Sequence, residues 1–283
     1  MATIQSLLNQ AITKLSKTSD SAKLDCELLL AYVLNKSTTY LKTWPENTVN
    51  EEQTQLFQQL VSQRFAGKPI AHLLGYRGFW QFDLEVSNKT LIPRPDTEVI
   101  VEHALTLCQK QEANVLDLGT GTGAIALALA YEQPQWQVFG CDLFDDVVAL
   151  AERNKQRLQL ANCTIFQSNW YENVAKHCTQ PLDLIISNPP YICETDPHLE
   201  QGDVIFEPKS ALVAKEQGLA DIKHIVQASK RFLAKGGYVV VEHGYNQAGA
   251  VQKIFNAENF VGISTIKDYG NNDRATFGKW MEK

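Results

Sequence analysis

The chain has 283 residues, 44% of them hydrophobic, enough to bury the core of one large domain or of a medium domain beside a small one. A formal charge of −6 argues against a broad surface that holds nucleic-acid backbone, because that work needs clustered lysine and arginine. No apolar run approaches the ~18 residues of a membrane span, and the opening "MATIQSLLNQ" lacks the basic-then-apolar order of a signal peptide.

Residues 1–74 carry helical patterning and nothing that resembles a strand. Ile4, Leu7, Leu8, Ala11, Ile12 and Leu15 fall at helix spacing. Leu24, Leu28, Leu29 and Tyr32 repeat it behind a Ser19 or Asp20 cap, and Leu56, Phe57, Leu60 and Val61 make a third set. This predicts a small helical bundle. Over 75–92 the period shortens: Trp80, Phe82, Leu84 and Val86 alternate with polar residues, "SNK" supplies a turn, and Thr90–Ile92 returns, which predicts a linking β-hairpin. "RPDTE" then opens a helix from about Asp96 to Leu107, with Asp96, Thr97 and Glu98 as expected N-terminal caps.

From Val115 onward, within a domain expected over 93–283, strands and helices alternate. "NVLDLG" is followed by a helix from Gly123 to about Tyr131, "WQVFGCD" by one from about Asp145 to Leu160, then come "CTIFQS" and "LDLIIS". A long loop precedes a helix from about Leu219 to Leu233, "GYVVVEHG", a helix around Gln247–Phe255, "VGISTIK" and "RATFGKW". Repeated β-α units predict an α/β fold, a doubly wound and mostly parallel sheet with helices on both faces. Only "DYGNND" separates the last two strands, so they should pair antiparallel. The six cysteines, at 26, 108, 141, 163, 178 and 193, form no C-x-x-C pair and stand at no zinc spacing with histidine. They read as buried thiols suited to a reducing cytoplasm, with no metal site. His72 and His243 read as satisfied structural histidines.

Two strand ends carry chemistry. "DLGTGTGA", Asp117 to Ala124, places Gly119, Thr120, Gly121, Thr122 and Gly123 between a strand and a helix, where bare backbone lets a ligand approach closely. Alone, this loop also satisfies a dinucleotide pattern. Asp117 at the strand end can accept from an amino-acid ammonium group or order water beside it, and Asp142, ending the next strand, can accept both hydroxyls of a ribose. That pair describes S-adenosylmethionine better than a nicotinamide dinucleotide, and the pattern D-x-G-x-G-x-G resembles the cofactor loop of class I S-adenosylmethionine methyltransferases. Trp170 would stack on the adenine or else serve as a core tryptophan.

The second is "LIISNPPYIC". Prolines end a strand and stiffen the chain beyond it, so Asn188-Pro189-Pro190-Tyr191 is a rigid corner at a strand tip. Asn188 Oδ1 and the Pro189 carbonyl can each accept one N–H of a planar NH2, aiming its nitrogen at a methyl donor, while Tyr191 offers a ring face. No side-chain base is required before transfer, because the nitrogen proton becomes acidic only as the new bond forms.

Together "VLDLGTGTGAIALALA", "SNPPYI", "LIPRPDTE", "FEPKSALVA" and "VVVEHGYNQ" resemble the bacterial peptide chain release factor glutamine methyltransferases, the PrmC or HemK family, over essentially the whole chain. The resemblance implies a class I, Rossmann-like seven-stranded sheet over 93–283 behind an N-terminal substrate-recognition domain. It implies methylation of the glutamine amide in the Gly-Gly-Gln loop of class 1 release factors, with S-adenosylhomocysteine as product. Carried onto this sequence, Gly119–Gly123, Asp142, Trp170 and Asn188 would bind cofactor and Asn188–Tyr191 the glutamine. A cytoplasmic monomer with no stable nucleic-acid binding is expected. Asn169 stands where the family more often has Asp, and altered cofactor affinity is the expected effect. Arg94 would border the pocket or form an ion pair; Glu207 and Glu242 would be pocket walls or acceptors behind it. The rivals are a ribosomal-protein glutamine methyltransferase, a DNA adenine-N6 or cytosine-N4 methyltransferase using the same corner for another planar NH2, and a non-catalytic release-factor binder.

Overall fold

The computed structural model describes residues 2–281 and divides into two compact units. Residues up to Tyr76, together with Glu200–Phe206, form the first; Arg77–Leu199 and Glu207 onward form the second.

The first unit contains β1 (Ala2–Thr3), α1 (Ile4–Leu15), α2 (Ala22–Leu34), α3 (Thr38–Thr43), β2 (Thr48–Val49), α4 (Glu51–Phe65) and α5 (Ile70–Leu74). Reciprocal capping boxes start α1 at Thr3/Ser6 and α4 at Asn50/Gln53, each pair satisfying two backbone N–H groups that the first turn leaves over. The core joins Leu7, Leu15, Leu29, Leu30, Phe57 and Leu60. Three expectations change. A two-residue pair, β1 with β2, stands where the sequence predicts no strand. The buried face of α2 runs through Ala22, Asp25, Cys26, Leu29 and Leu30, leaving Leu24 and Tyr32 exposed. Neither Ser19 nor Asp20 caps α2: the hydroxyls of Ser19 and Ser21 donate to Asp25 at 2.8 and 2.9 Å, and Arg64 Nε reaches the same carboxylate at 2.8 Å. A buried carboxylate demands such partners, and that demand selects the face. Arg64 also meets Asp203, at 3.3 Å, in the returning segment.

In the second unit β3 (Tyr76–Phe79, its first residue in unit one) pairs with β4 (Phe82–Glu85). The hairpin therefore turns at Trp80 and Gln81, earlier than "SNK", and Thr90–Ile92 forms no strand. Trp80 adopts φ +56°, uncommon for a large side chain, and Glu98 and Glu132 secure it by accepting from its backbone N–H and its Nε1. There follow α6 (Pro95–Leu107), β5 (Asn114–Leu118), α7 (Ala124–Glu132), β6 (Gln137–Asp142), α8 (Asp145–Leu158), β7 (Cys163–Gln167), α9 (Val174–His177) and β8 (Leu182–Ser187). After a loop with three 3-10 turns come α10 (Lys215–Gly218), α11 (Ala220–Ser229), β9 (Leu233–Glu242), α12 (Ala248–Ala257), β10 (Val261–Lys267) and β11 (Asp273–Lys279). Leu233, expected at a helix end, opens β9 instead. All six cysteines are free thiols, and Cys193, unlike the other five, is only half-buried, in the loop beyond β8.

The seven strands lie in the order β10-β11-β9-β8-β5-β6-β7. Strands β5 to β9 are parallel, and β11 runs antiparallel to both β9 and β10. Helices cover both faces, which is why strands such as β8 read as continuous apolar runs. Val115, Leu184 and Val240 pack on one side with Ile100, Leu127 and Leu129; Leu116, Ile185 and Val241 pack on the other with Ile225, Val251 and Phe255. The order reverses beside β5: β6 lies on one side and β8 on the other, so the chain leaving β5 and the chain leaving β8 open onto a common crevice.

Candidate active site

The glycine loop leaves β5 with Gly119, Gly121 and Gly123 at φ +70°, +57° and +87°, conformations in which an L side chain is strained. The N–H groups of Gly119 and Thr120 both donate to the Cys141 carbonyl at 2.9 Å, tying the loop to the end of β6. Gly140 on β6 makes room: a Cβ there would lie 2.9 Å from Thr120 Oγ1. Asp142, at the tip of β6, accepts from the Gly121 N–H at 3.0 Å, and burial raises its carboxyl pKa. Its oxygens keep lone pairs for further donors.

Loop, strand tips and corner line one cavity of about 260 Å³. Gly119, Thr120, Gly121, Thr122, Asp142, Asn169 and Trp170 line it, together with Asn188, Pro190, Arg94 and Thr97. Trp170 stands over the loop, so that a Cβ on Gly119 would come 3.6 Å from its ring. Asn169 donates to Glu172 at 2.8 Å through Nδ2, which leaves Oδ1 as its unused acceptor.

Several expected site residues lie behind this wall. Asp117 is fully buried beneath the loop and does not line the cavity. One oxygen accepts from Thr120 Oγ1 at 2.6 Å and from the Ala126 N–H at 3.2 Å; Oδ1 has no hydrogen-bond partner among the described residues. Burial pushes its carboxyl up to about 7. Gly123 caps α7 rather than facing the cavity. Pro189 is buried, and the Tyr191 ring packs into the core instead of lining the cavity, its hydroxyl donating to Glu242 Oε1 at 3.1 Å.

The opening of α6 differs from expectation too. Pro95 begins the helix with its φ preset and no side-chain cap forms. Thr97 turns inward and donates to Glu242 Oε2 at 2.8 Å while accepting from Asn188 Nδ2 at 3.2 Å. Glu98 holds Trp80. Arg94 satisfies both readings offered for it, lining the cavity and donating to the buried Glu207 at 2.6 Å. Burial pushes the Glu242 carboxyl up to about 7. His243 is buried between the Gly244 carbonyl at 2.9 Å and Thr276 Oγ1 at 2.8 Å, a satisfied histidine whose pKa burial lowers.

Sequence reasoning missed Phe79, Leu91, Leu143, Phe144, Ser210 and Asp221 in the lining. Leu143 and Phe144 left a signal: two large apolar residues between the strand-ending Asp142 and the acidic start of α8, where water would otherwise cover them. Asp221 left none, since only the fold brings α11 to the cavity.

The N-terminal residues 6–75 match the family model of the PrmC N-terminal domain, and 109–278 match that of a methyltransferase domain. The chain is 48% identical over 278 residues to the release factor glutamine methyltransferase of Shewanella oneidensis, covering 98% of this chain and 96% of that one. It is 46% identical over 278 residues to the protein of that name from Escherichia coli K12, covering 98% and 99%. A methyltransferase structure from Pyrococcus furiosus shares the fold at 17% identity, with a TM-score of 0.55 over 78% of this chain and 98% of that one. With the helical first unit, the glycine loop and the Asn-Pro-Pro-Tyr corner in place, the chain belongs to the release factor glutamine methyltransferase family.

Proposed function

We propose that this chain transfers a methyl group from S-adenosylmethionine to the side-chain amide nitrogen of the glutamine in the Gly-Gly-Gln loop of class 1 release factors. The observation that carries the reading is the meeting of the glycine loop and Asn188 in one cavity at the ends of the adjacent strands β5 and β8. Class 1 release factors act on the ribosome, so the work would be done in the cytoplasm.

The residues fit the cofactor. A Cβ placed on Gly121 would meet no atom within 4 Å, so the bare backbone there is free to face a ligand. Asp142 offers acceptors for the two ribose hydroxyls, and Trp170 a ring for the adenine, whose amino group Asn169 Oδ1 can accept. Asp117 would act from beneath, its Thr120 and Ala126 contacts holding the loop in shape. When bound, the cofactor supplies an electrophilic methyl on a sulfonium centre.

An amide nitrogen is a poor nucleophile because its lone pair is delocalised, so orientation must supply much of the rate. Asn188 Oδ1 would accept one N–H of the glutamine NH2, turning the nitrogen lone pair toward the methyl and stabilising positive charge as it develops; the carbonyl of Pro189, a residue buried behind the wall, would have to open to the cavity to accept the other. The N–C bond forms as the S–C bond breaks, the sulfonium becoming a neutral thioether. The amide nitrogen then releases one proton to water, giving a methylated amide and S-adenosylhomocysteine. Tyr191 would stiffen the corner through Glu242 instead of stacking on the substrate.

The test is mass spectrometry of the Gly-Gly-Gln peptide after a release factor is incubated with the protein and S-adenosylmethionine. One added methyl is expected on the glutamine, absent from a Gln→Asn release factor. Asn188→Ala should lower turnover ~10²–10³-fold, the scale for removing one group aimed at developing charge. A near-normal Asn188→Ala rate would sink the clamp, and no methylation despite cofactor binding would move the substrate to another planar NH2.

A further inference from the structure

An asparagine amide is nearly symmetric in shape but opposite in polarity at its two ends, so a half-turn exchanges an acceptor for two donors. The proposed clamp requires Oδ1 of Asn188 to face the substrate NH2; with Nδ2 there, donor would meet donor. Some neighbour must choose between the two orientations. We infer that Thr97 and Glu242 are positioning residues that fix the polarity of the Asn188 amide and so hold its oxygen toward the substrate.

Asn188 Nδ2 lies 3.2 Å from Thr97 Oγ1. A threonine hydroxyl has one proton to give, and here it goes to Glu242 Oε2 at 2.8 Å. Ionised Glu242 has nothing to donate, and its other oxygen accepts from the Tyr191 hydroxyl at 3.1 Å. The Thr97 proton is therefore committed to the carboxylate, and toward Asn188 the hydroxyl can only accept. That forces the NH2 end of Asn188 against Thr97 and leaves Oδ1 for the cavity.

One carboxylate thus holds both ends of the corner, Tyr191 directly and Asn188 through Thr97. It is supported in turn by Arg274, whose guanidinium stands beside Glu242 and Tyr191 and is anchored by Asp268 at 2.8 Å and Asp96 at 3.5 Å. None of these roles is visible in local sequence, since the hydroxyl, the carboxylate and the guanidinium come from α6, β9 and β11. A protonated Glu242 could donate to Thr97 instead, freeing the hydroxyl to donate to a reversed amide. The polarity of the chain therefore originates at Glu242.

The inference rests on the proposed role of Asn188, and its test keeps the two apart. Full-length wild type, Thr97→Val and Thr97→Ser are compared for kcat and KM with a release factor, for cofactor Kd by calorimetry, and for side-chain amide exchange in protein labelled with ¹⁵N-asparagine. Thr97→Val keeps the shape and loses the hydroxyl. Its kcat should fall ~10-fold or more, the scale of one hydrogen bond deciding between two orientations, with cofactor Kd changed less than ~3-fold. Thr97→Ser should recover to within ~3-fold of wild type. In wild type the Asn188 NH2 should exchange slowly, and in Thr97→Val this protection should disappear. A Thr97→Val enzyme within about twofold of wild type in kcat, or a Thr97→Ser enzyme as slow as Thr97→Val, overturns the inference. If Thr97→Val does not fold, the wild-type protein decides: rapid exchange of the Asn188 NH2 overturns it. Absence of methylation by wild type would count against the function, while the exchange measurement would still report the orientation.

Discussion

Gly218 is packed so closely on Tyr191 that a Cβ built on it would lie 2.0 Å from the Tyr191 carbonyl oxygen. The same carbonyl accepts from Gln247 Nε2 at 3.0 Å, and Gly218 itself adopts φ +86°. The far end of the corner is thus held by backbone that tolerates no side chain. Gly218→Ala should cost ~2 kcal/mol or more, from strain at positive φ plus the displaced carbonyl, and should slow turnover as the corner shifts. Denaturant melts and kcat check this; wild-type values for both would show that the contact yields freely.

The contribution of two buried carboxyls to stability should vary with pH in the sense opposite to ordinary acid unfolding. Asp117 and Glu242 are each pushed by burial to about 7, above the usual carboxylate range. The folded state therefore binds a proton that the unfolded state has released, so their contribution is fully present below the unfolded pKa and is lost as pH rises through about 7. Asp117→Asn removes one such group while keeping an oxygen for Thr120 and Ala126. In thermal melts from about pH 4 to about pH 8 the stability of Asp117→Asn relative to wild type should rise with pH. A difference that does not change with pH would mean that Asp117 does not titrate there.

Turnover should have an acid limb. Glu242 faces Thr97 and Asp96 from α6, Tyr191 from the corner and Arg274 from β11. Protonation as pH falls through about 7 would release the hold on Thr97, so kcat should fall with pH in that range. Glu242→Gln can still accept from Thr97 through its carbonyl but cannot change charge. Its kcat–pH profile should lose the limb, and a limb unchanged in Glu242→Gln would assign it to another group.

Trp170 should matter for the cofactor more than for the fold. Its ring is only half-buried and packs against Gly119 in the lining of the cavity. Trp170→Ala should weaken binding of S-adenosylhomocysteine ~10-fold or more, the scale of losing one base–aromatic stack, whereas Trp170→Phe should keep most of it. Calorimetry reads both; an unchanged Kd in Trp170→Ala would leave the tryptophan a core role only.

The sheet is legible because its strands announce themselves by buried apolar runs with glycine or proline at their tips, as around Leu116 and Ile185. The hairpin turn is not, because its turn residue is Trp80, a type that carries no turn signal; Glu98 and Glu132 hold it there, and nothing local reports them. The cavity wall can be read from Gly121, Asp142, Trp170 and Asn188, residues whose chemistry suits a ligand. One layer back the local sequence carries no such signal. Asp117 and Tyr191 have equally suitable chemistry, but only the packing above them decides that they support the site without touching its space. Thr97 reads as a cap because helix starts favour threonine, and its inward turn depends on a carboxylate 145 residues away.

β11, the last described strand, is inserted between β9 and β10, and it carries both Arg274 and Thr276, the partner of His243. A chain growing from its N-terminus can therefore build the glycine loop and strands β5 to β8 early, yet its Asn-Pro-Pro-Tyr corner lacks the guanidinium behind Glu242 until residue 274 has been added. Synthesis order thus delays the assembled corner until β11 has been made, after the six other strands of the sheet that it joins.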